Sequence, residues 1–163
     1  MFDLTGQKAL VTGASGGIGG GIARALHAAG ATVGVSGTRV EALEALAQSL
    51  DDRAVPLPAN LSAESGPEDL IKAAEEKLGG IDILVNNAGI TRDTLAMRMK
   101  NEDWQAVLDV NLTSGFRLIK ASLRGMLKQR HGRIIGITSI VVVTGNPGQT
   151  NYAAAKAGMI GMS

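Results

Sequence analysis

The chain of 163 residues is 45% hydrophobic and 19% charged, which suits one globular domain and excludes a disordered tail or a fibre. A formal net charge of +1 argues against a nucleic-acid partner, which needs a concentrated basic face. The chain has no cysteine and two histidines, so disulfides, thiolate zinc sites and His-rich metal centres are excluded, and we expect a soluble, cytoplasmic single domain over residues 1–163.

Short aliphatic strands alternate along the sequence with longer stretches of helical spacing. Pro56 cannot donate to a strand ladder, which favours a sheet edge for its strand, and Pro67 is typical of the first turn of a helix. A long helix is predicted from Glu102 to about Arg130. Apolar strands separated by helices predict an α/β fold with a doubly wound parallel sheet. The predicted strands are 8–12, 31–36, 53–57, 81–86 and 133–138.

The longest uncharged run, from Ile134 to Ala155, has 22 residues and is long enough to cross a bilayer. Turn formers and side-chain amides interrupt it at 145–149, so a buried strand, a loop and the start of a helix are predicted instead. The first residues lack the basic and then apolar pattern of a signal peptide. No membrane partner is expected.

A glycine-rich segment lies where the first strand meets the first helix. Glycines allow a tight turn and let a pyrophosphate approach the backbone, and the N-terminus of the helix offers free N–H groups. The spacing differs from the G-x-G-x-x-G fingerprint, and a turn without a ligand is the alternative. The predicted dinucleotide-binding turn consists of Gly13, Ala14, Ser15, Gly16, Gly17, Ile18 and Gly19.

The ends of the second and fourth strands carry further cofactor candidates. A NAD site carries an acid near the end of the second strand, whereas Ser-Gly-Thr-Arg at 36–39 contains none. Thr38 and Arg39 therefore favour NADP(H), because Arg39 could form a bidentate, charge-assisted hydrogen bond with the 2′-phosphate. The alternative is that Arg39 is only a solvated residue at the start of the second helix. Asn87, Ala88 and Gly89 would let the chain pass close to a ribose and a nicotinamide, or would only end the strand.

Tyr152 and Lys156 share one face at the start of a helix, and Ser139 ends the fifth strand. Because the carboxyl ends of parallel strands open on one crevice, Gly13, Asn87 and Ser139 should converge there, within reach of the pair. The Lys156 ammonium would stabilise a Tyr152 phenolate, so Tyr152 could protonate a carbonyl oxygen while hydride arrives from a nicotinamide. Ser139 would fix that oxygen, and Lys156 would also hold the ribose hydroxyls. A Tyr–Lys pair on a helix surface is the alternative.

Together these motifs resemble the short-chain dehydrogenase/reductases, in order and over the whole chain. More narrowly, residues 89–93 with 97–100, and 145–149 with 151–156, resemble the bacterial 3-oxoacyl-[acyl-carrier-protein] reductases. This implies a Rossmann-like fold and NADPH-dependent reduction of a 3-oxoacyl thioester to the (3R)-hydroxyacyl product in fatty acid synthesis. The motifs are Thr12-Gly13-x-x-x-Gly17-Ile18-Gly19, Asn86-Asn87-Ala88-Gly89, Asn111, Ser139 and Tyr152-x-x-x-Lys156.

The resemblance implies further roles. Asn111, a polar residue amid apolar neighbours in a helix, would hold a water that links the lysine to solvent as a proton relay. Asn60 and Leu61 would flank the adenine. Lys128 and Arg130 match a basic spot for docking an acidic acyl carrier protein, and family members usually assemble as tetramers.

The sequence departs from its relatives in two places. Gly16 stands where many relatives place an arginine that grips the 2′-phosphate, so NADPH preference rests more on Thr38 and Arg39. Relatives also continue beyond Ser163 with further strands and a lid, so we expect a fragment without the acyl pocket, with a long uncharged edge at 133–143. The side chains of Met159, Ile160 and Met162 are expected to lack packing partners. The alternative functions are a dehydrogenase for another ketone or alcohol, and a silent nucleotide-binding module.

Overall fold

Five parallel strands form the centre of the protein, whose computed structural model describes residues 3–163. The order across the sheet is β3-β2-β1-β4-β5. The chain moves outward from β1 in one direction and then in the other, so the switch point lies between β1 and β4, where doubly wound sheets bind ligands. The predicted Rossmann-like architecture is confirmed. The strands are β1 (Lys8–Val11), β2 (Thr32–Gly37), β3 (Ala54–Pro58), β4 (Ile83–Asn86) and β5 (Arg133–Gly136).

Helices cover both faces of the sheet. Single 3₁₀ turns lie at Asp51–Arg53 and Ala96–Arg98, and a π turn joins two helices at Asp109–Thr113. None of the helices within residues 3–163 has the length and apolar character needed to cross a membrane. The α-helices are α1 (Gly17–Ala28), α2 (Val40–Gln48), α3 (Gly66–Leu78), α4 (Asn101–Leu108), α5 (Ser114–Gln129), α6 (Val141–Thr144) and α7 (Thr150–Met162).

The core consists of two apolar layers, one on each face of the sheet. Ala9 and Val11 of β1 pack with α1 and α2, whereas Leu10 packs with α3 and α5. All three side chains are fully buried. Alternate residues of one strand thus serve opposite layers, which explains why the strands are apolar almost throughout.

Pro56 and Pro67 lie where the sequence predicts. β3 is an edge strand and contains Pro56. Pro67 lies in the first turn of α3, and the helix ends at Gly79, whose positive φ of 77° suits a residue without a Cβ.

The end of the sheet differs from the prediction. β5 stops at Gly136, and all four of its residues are exposed rather than buried. Its neighbour β4 ends at Asn86, where the next backbone N–H turns to the Thr12 hydroxyl, so the ladder has no partner beyond that point. The β-branched residues that follow form the short helix α6 instead of extending the strand to 143.

The last helix is also better supported than the sequence suggests. Met159 is buried, because its side chain packs against the backbone of Gly136 in β5 and Gly115 in α5. Ile160 is 52% exposed, as expected. Met159 therefore anchors α7 to the sheet.

Candidate active site

The glycine turn after β1 touches the segment after β4 so closely that side chains are excluded. Gly13 has a φ of +64°, and a Cβ built there would lie 2.8 Å from Ala88 Cα. A Cβ on Gly19 would lie 2.3 Å from the Gly13 carbonyl oxygen. These two positions therefore require glycine, and their backbone is left open to a ligand.

The Thr12 hydroxyl fastens the ends of β1 and β4 together. It donates to the Val85 carbonyl at 3.1 Å and accepts from the backbone N–H groups of Asn87 and Ala88, each at 3.1 Å. The Asn87 side-chain amide donates to the Thr12 carbonyl at 2.9 Å. The predicted convergence of the glycine turn and the Asn87 segment is thus built from direct hydrogen bonds.

A cavity of about 780 Å³ opens above this junction, within the size range of small-molecule sites. Ala14 is the one member of the predicted turn absent from its lining, because it is buried beneath the turn with its N–H bonded to Ser36 O at 2.8 Å. The predicted residues that line the cavity are Gly13, Ser15, Gly16, Gly17, Ile18, Gly19, Thr38, Arg39, Asn60, Leu61, Asn87, Ala88 and Gly89.

Sequence reasoning missed part of the lining. Some missed residues sit beside predicted ones, so extending each motif by a position would have found them. Arg92 lies within the segment 89–93 that carries the resemblance, whereas Ala106 carried no signal. The additional lining residues are Ser36, Gly37, Ser62, Ile90, Arg92, Ala106, Asp109 and Val110.

The end of β2 supplies positive charge and hydrogen-bond donors. Arg39 is exposed and donates from its guanidinium to the Ser15 carbonyl, so it lies over the glycine turn. Residues 36–39 contain no carboxylate. This donor set, beside a turn whose backbone is open at Gly13 and Gly19, suits the phosphate groups of a dinucleotide.

Asn60 follows β3 and shapes the loop that it lines. Its Oδ1 accepts from the backbone N–H of Ser62 at 3.1 Å and from the Ser62 hydroxyl at 2.6 Å. The Asn60 side chain thus holds residues 60–62 in a tight turn. Leu61 is half-buried and offers an apolar surface to the cavity.

Lys156 of α7 is buried beside Tyr152. The lysine is 3% exposed, its Nζ donates to the Ile137 carbonyl at 2.6 Å, and the same Nζ lies 5.8 Å from the centroid of the Tyr152 ring. Burial lowers the pKa of Lys156, because desolvation penalises the charged form. The pair is therefore not a pair of exposed side chains on the helix surface. The Lys156 ammonium is shielded from water and lies over the phenol ring.

Hydrogen bonds connect this pair to the switch point. The Ile137 N–H donates to the Asn86 carbonyl at 2.9 Å, and the Thr138 hydroxyl donates to the Lys156 carbonyl at 3.2 Å. Ser139 follows directly, and its Oγ accepts from the Val141 N–H at 3.4 Å. The end of β5 thus links α7 to the strand that carries Asn87, although Tyr152, Lys156 and Ser139 do not line the 780 Å³ cavity.

Asn111 lies in the π turn and is 1% exposed. Its Oδ1 accepts from the Ile90 N–H at 2.7 Å, and its Nδ2 donates to the Ile90 carbonyl at 2.9 Å. Both ends of the amide therefore clamp the loop that follows Gly89. A water held by Asn111 remains a prediction.

The predicted docking residues lie elsewhere. Lys128 and Arg130 are exposed at the C-terminal end of α5 and do not line the cavity. Within residues 3–163, no three His, Cys, Asp or Glu side chains are grouped as ligands for a metal ion.

A doubly wound sheet with a glycine-lined cavity at its switch point is the architecture of dinucleotide-binding α/β proteins. A family model described as short chain dehydrogenase matches residues 7–163, and the chain belongs to that family. The Tyr152 and Lys156 motif, the Asn87 segment and the glycine turn all lie within the matched range.

Similar proteins carry more specific names. The chain is 63% identical to Nodulation protein G of Rhizobium sp. (strain N33) and 53% identical to 3-oxoacyl-[acyl-carrier-protein] reductase FabG of Rickettsia bellii (strain RML369-C), each over 163 residues. It spans about two thirds of the length of these curated relatives, 66% in each case. A crystal structure described as a short-chain alcohol dehydrogenase from Sinorhizobium meliloti 1021 matches 99% of this chain and 65% of its own, with a TM-score of 0.94 at 36% identity.

Proposed function

We propose that this protein is an NADPH-dependent reductase of 3-oxoacyl-[acyl-carrier-protein], in which residues 1–163 form the dinucleotide-binding domain. The observation that carries the proposal is the buried Lys156 ammonium, 5.8 Å from the centroid of the Tyr152 ring. Burying a cation without a charged partner is costly, so a protein retains it where the charge does chemical work. Relatives named for this reaction, at 53% identity, support the choice of substrate class.

The residues around the cavity would hold the dinucleotide. Open backbone at Gly13 and Gly19 suits the pyrophosphate, and the side chains of Thr38 and Arg39 suit a 2′-phosphate. Asn60 and Leu61 would flank the adenine, and Asn87, Ala88 and Gly89 the ribose and nicotinamide; the remaining contacts of the turn come from Ala14, Ser15, Gly16, Gly17 and Ile18. Bound NADPH supplies the hydride that reduces the carbonyl carbon.

Tyr152 would act as the general acid. Its hydroxyl gives a proton to the carbonyl oxygen, so that a ketone becomes an alcohol, and the Lys156 ammonium stabilises the phenolate that is left. The Ser139 hydroxyl would hold the same oxygen in place. Tyr152 regains its proton along a path through Lys156 and a water held by Asn111.

The carrier protein and the assembly are part of the same proposal. Lys128 and Arg130 offer two exposed cations at the end of α5 for an acidic partner. A homotetramer in the cytoplasm follows from the resemblance to the reductase family. Both are open to direct measurement, by cross-linking to acyl carrier protein and by light scattering.

The test is turnover of NADPH by the full-length protein with 3-oxoacyl-[acyl-carrier-protein]. Tyr152→Phe should lower kcat by about 1,000-fold, because the general acid is lost. The same variant should bind NADPH within about twofold of the parent, because the glycine turn is unchanged. Equal turnover in the two proteins would remove Tyr152 from the reaction.

A panel of carbonyl compounds separates the alternatives. Turnover of simple ketones or sugars but not of thioesters would keep the chemistry and change the substrate. Binding of NADPH by calorimetry without turnover of any carbonyl would leave a nucleotide-binding module.

A further inference from the structure

Asn151, which immediately precedes Tyr152, is fully buried in the first turn of α7. Its Oδ1 accepts from the backbone N–H of Tyr152 at 2.8 Å. Its Nδ2 donates to the Arg92 carbonyl at 3.1 Å and to the Asp103 carbonyl at 3.4 Å. An amide that uses both of its ends in a dry site has one orientation, and it fixes the groups that it contacts.

These contacts attach the start of α7 to two other parts of the site. Arg92 belongs to the loop that Asn111 clamps at Ile90, and Asp103 lies in the first turn of α4. The first N–H groups of a helix have no partner inside the helix, so the bond from Tyr152 N–H to Asn151 replaces one that the helix cannot make. The backbone of Tyr152 is therefore fixed by a side chain that also bonds to the loop after Gly89.

Other ties between these segments are more exposed. Gln149 donates from its side chain to Asp93 at 3.0 Å at the surface, and the Thr94 N–H donates to the Gly148 carbonyl at 2.9 Å, four residues before Tyr152. Within the segment before α7, the exposed Asn146 side chain donates to Gln149 at 3.0 Å. Exposed hydrogen bonds compete with water and restrict a side chain weakly. The buried amide of Asn151 is the tie that can hold an orientation.

We propose that Asn151 is a positioning residue that sets the direction in which α7 presents the Tyr152 hydroxyl. The inference rests on the proposed function of Tyr152. It adds that the loop after Gly89 and the tyrosine move as one unit, because one buried side chain bonds to both. Sequence reasoning missed Asn151, since a lone asparagine beside a motif carries no signal of burial.

Two variants of Asn151 test this role, and a variant of a second asparagine in the same segment serves as the control. Asn151→Ala removes the amide, and Asn151→Asp keeps its shape and its acceptor but turns an oxygen towards two carbonyls. Asn146→Ala, which removes an exposed amide from the same segment, is the control. We expect kcat to fall by about 100-fold in both Asn151 variants, because a misplacement of about 1 Å costs that much, while KM and NADPH affinity stay within about twofold. The control should stay within about twofold of the parent in kcat.

A kinetic isotope effect distinguishes positioning from loss of folded protein. With NADPH deuterated at the transferred hydrogen, a badly placed acid slows the chemical step and raises the isotope effect on kcat. A purely structural role lowers the active fraction and leaves the isotope effect as in the parent. An unchanged isotope effect with reduced kcat would overturn the proposal, as would unchanged kcat in Asn151→Asp.

A measurement without turnover keeps this inference separate from the proposed function. With ¹³C at the Cζ of every tyrosine of the full-length protein, the resonance of Tyr152, the one tyrosine among these 163 residues, is assigned by its loss in Tyr152→Phe. The resonance should shift or broaden in Asn151→Ala and stay in place in Asn146→Ala. If it is identical in all three proteins, Asn151 does not orient the phenol, whether or not the parent reduces a carbonyl.

Discussion

Residues 12–19 and 86–90 meet through backbone atoms that a side chain would displace, whereas residues 137–152 are attached to the site mostly by individual side chains. In the first region, glycines at 13 and 19 and the Thr12 hydroxyl lock two strand ends together. In the second, β5 is exposed along its length, and the connections come from Lys156 and Asn151. The first region is thus part of the sheet, whereas the second region, which contains Tyr152, packs beside the sheet.

This difference predicts how each region responds to substitution. A change at the glycine turn also disturbs the junction of β1 and β4, so binding and stability should fall together. A change in 137–152 leaves the sheet intact, so turnover can fall alone.

The largest effect is expected for Gly19→Ala. Its Cβ would lie 2.3 Å from the Gly13 carbonyl oxygen, so the turn must shift. We expect the free energy of unfolding to fall by about 3 kcal/mol, as for an overpacked core, with loss of NADPH binding. Denaturant unfolding and calorimetry measure the two quantities.

Gly21→Ala is the control, because a Cβ at that position of α1 meets nothing within 4 Å. Alanine is the better helix former, so this variant should gain about 0.5–1 kcal/mol and bind NADPH as the parent does. If Gly19→Ala is as stable as Gly21→Ala, the turn is not rigid.

A smaller effect is expected for Thr12→Val. The substitution keeps the shape but leaves the backbone N–H groups of Asn87 and Ala88 without their acceptor. We expect a loss of about 2 kcal/mol of unfolding free energy, the usual penalty for buried donors without partners. Urea unfolding measures it.

Thr138→Val is the counterpart on the other side of the site. It removes one bond, to the Lys156 carbonyl at 3.2 Å, from a more exposed residue, so the loss should be below about 1 kcal/mol. Equal losses in Thr12→Val and Thr138→Val would abolish the contrast between the two regions.

Arg39→Ala should weaken NADPH binding about tenfold and leave NADH binding unchanged, because the removed guanidinium would bind the 2′-phosphate, which NADH lacks. Calorimetry with both dinucleotides measures the ratio. Arg24→Ala is the control, since Arg24 donates to Ser49 Oγ at 3.0 Å and does not line the cavity. An unchanged ratio in Arg39→Ala shows that another residue reads the phosphate.

The last expected effect is a slope of stability against pH. Burial lowers the pKa of Lys156 below the ordinary value of 10.5, so the unfolded chain binds the proton more tightly than the folded one. In the window between the lowered value and 10.5, unfolding free energy should rise with pH, by at most about 1.4 kcal/mol per pH unit for one proton. Lys156→Met should lack this rise, measured by urea unfolding at several alkaline pH values. A variant with the parent's slope would show that the lysine is not desolvated.

The sequence was sufficient where a residue type has one physical reason to be present. Pro56 predicts an edge strand because it lacks a donor, and the glycines within 13–19 predict a tight turn with open backbone. The convergence of the glycine turn and Asn87 follows from parallel strands, whose carboxyl ends share one edge. These inferences need no knowledge of distant contacts.

Other features depend on contacts that the sequence does not display. The end of β5 at Gly136 is set by the end of β4, and the burial of Met159 is set by two glycines from other elements. The role of Asn151 depends on carbonyl groups about 50 residues away, which no local pattern encodes. Hydrophobic periodicity also predicts one helix over 102–130 and cannot reveal the π turn within it.

That π turn makes the number of residues here as important as their identity. The Ser114 N–H bonds to the Asp109 carbonyl five residues back, so the segment holds one residue more than a regular helix would. Deleting a single residue of the turn would restore α-helical bonding and leave α4 and α5 nearly in their present orientation, because the wider turn absorbs the extra residue. The widened turn from which Asn111 bonds to Ile90 would be lost, so a gene that had lost only one codon would encode a regular helix beside a loop without its clamp.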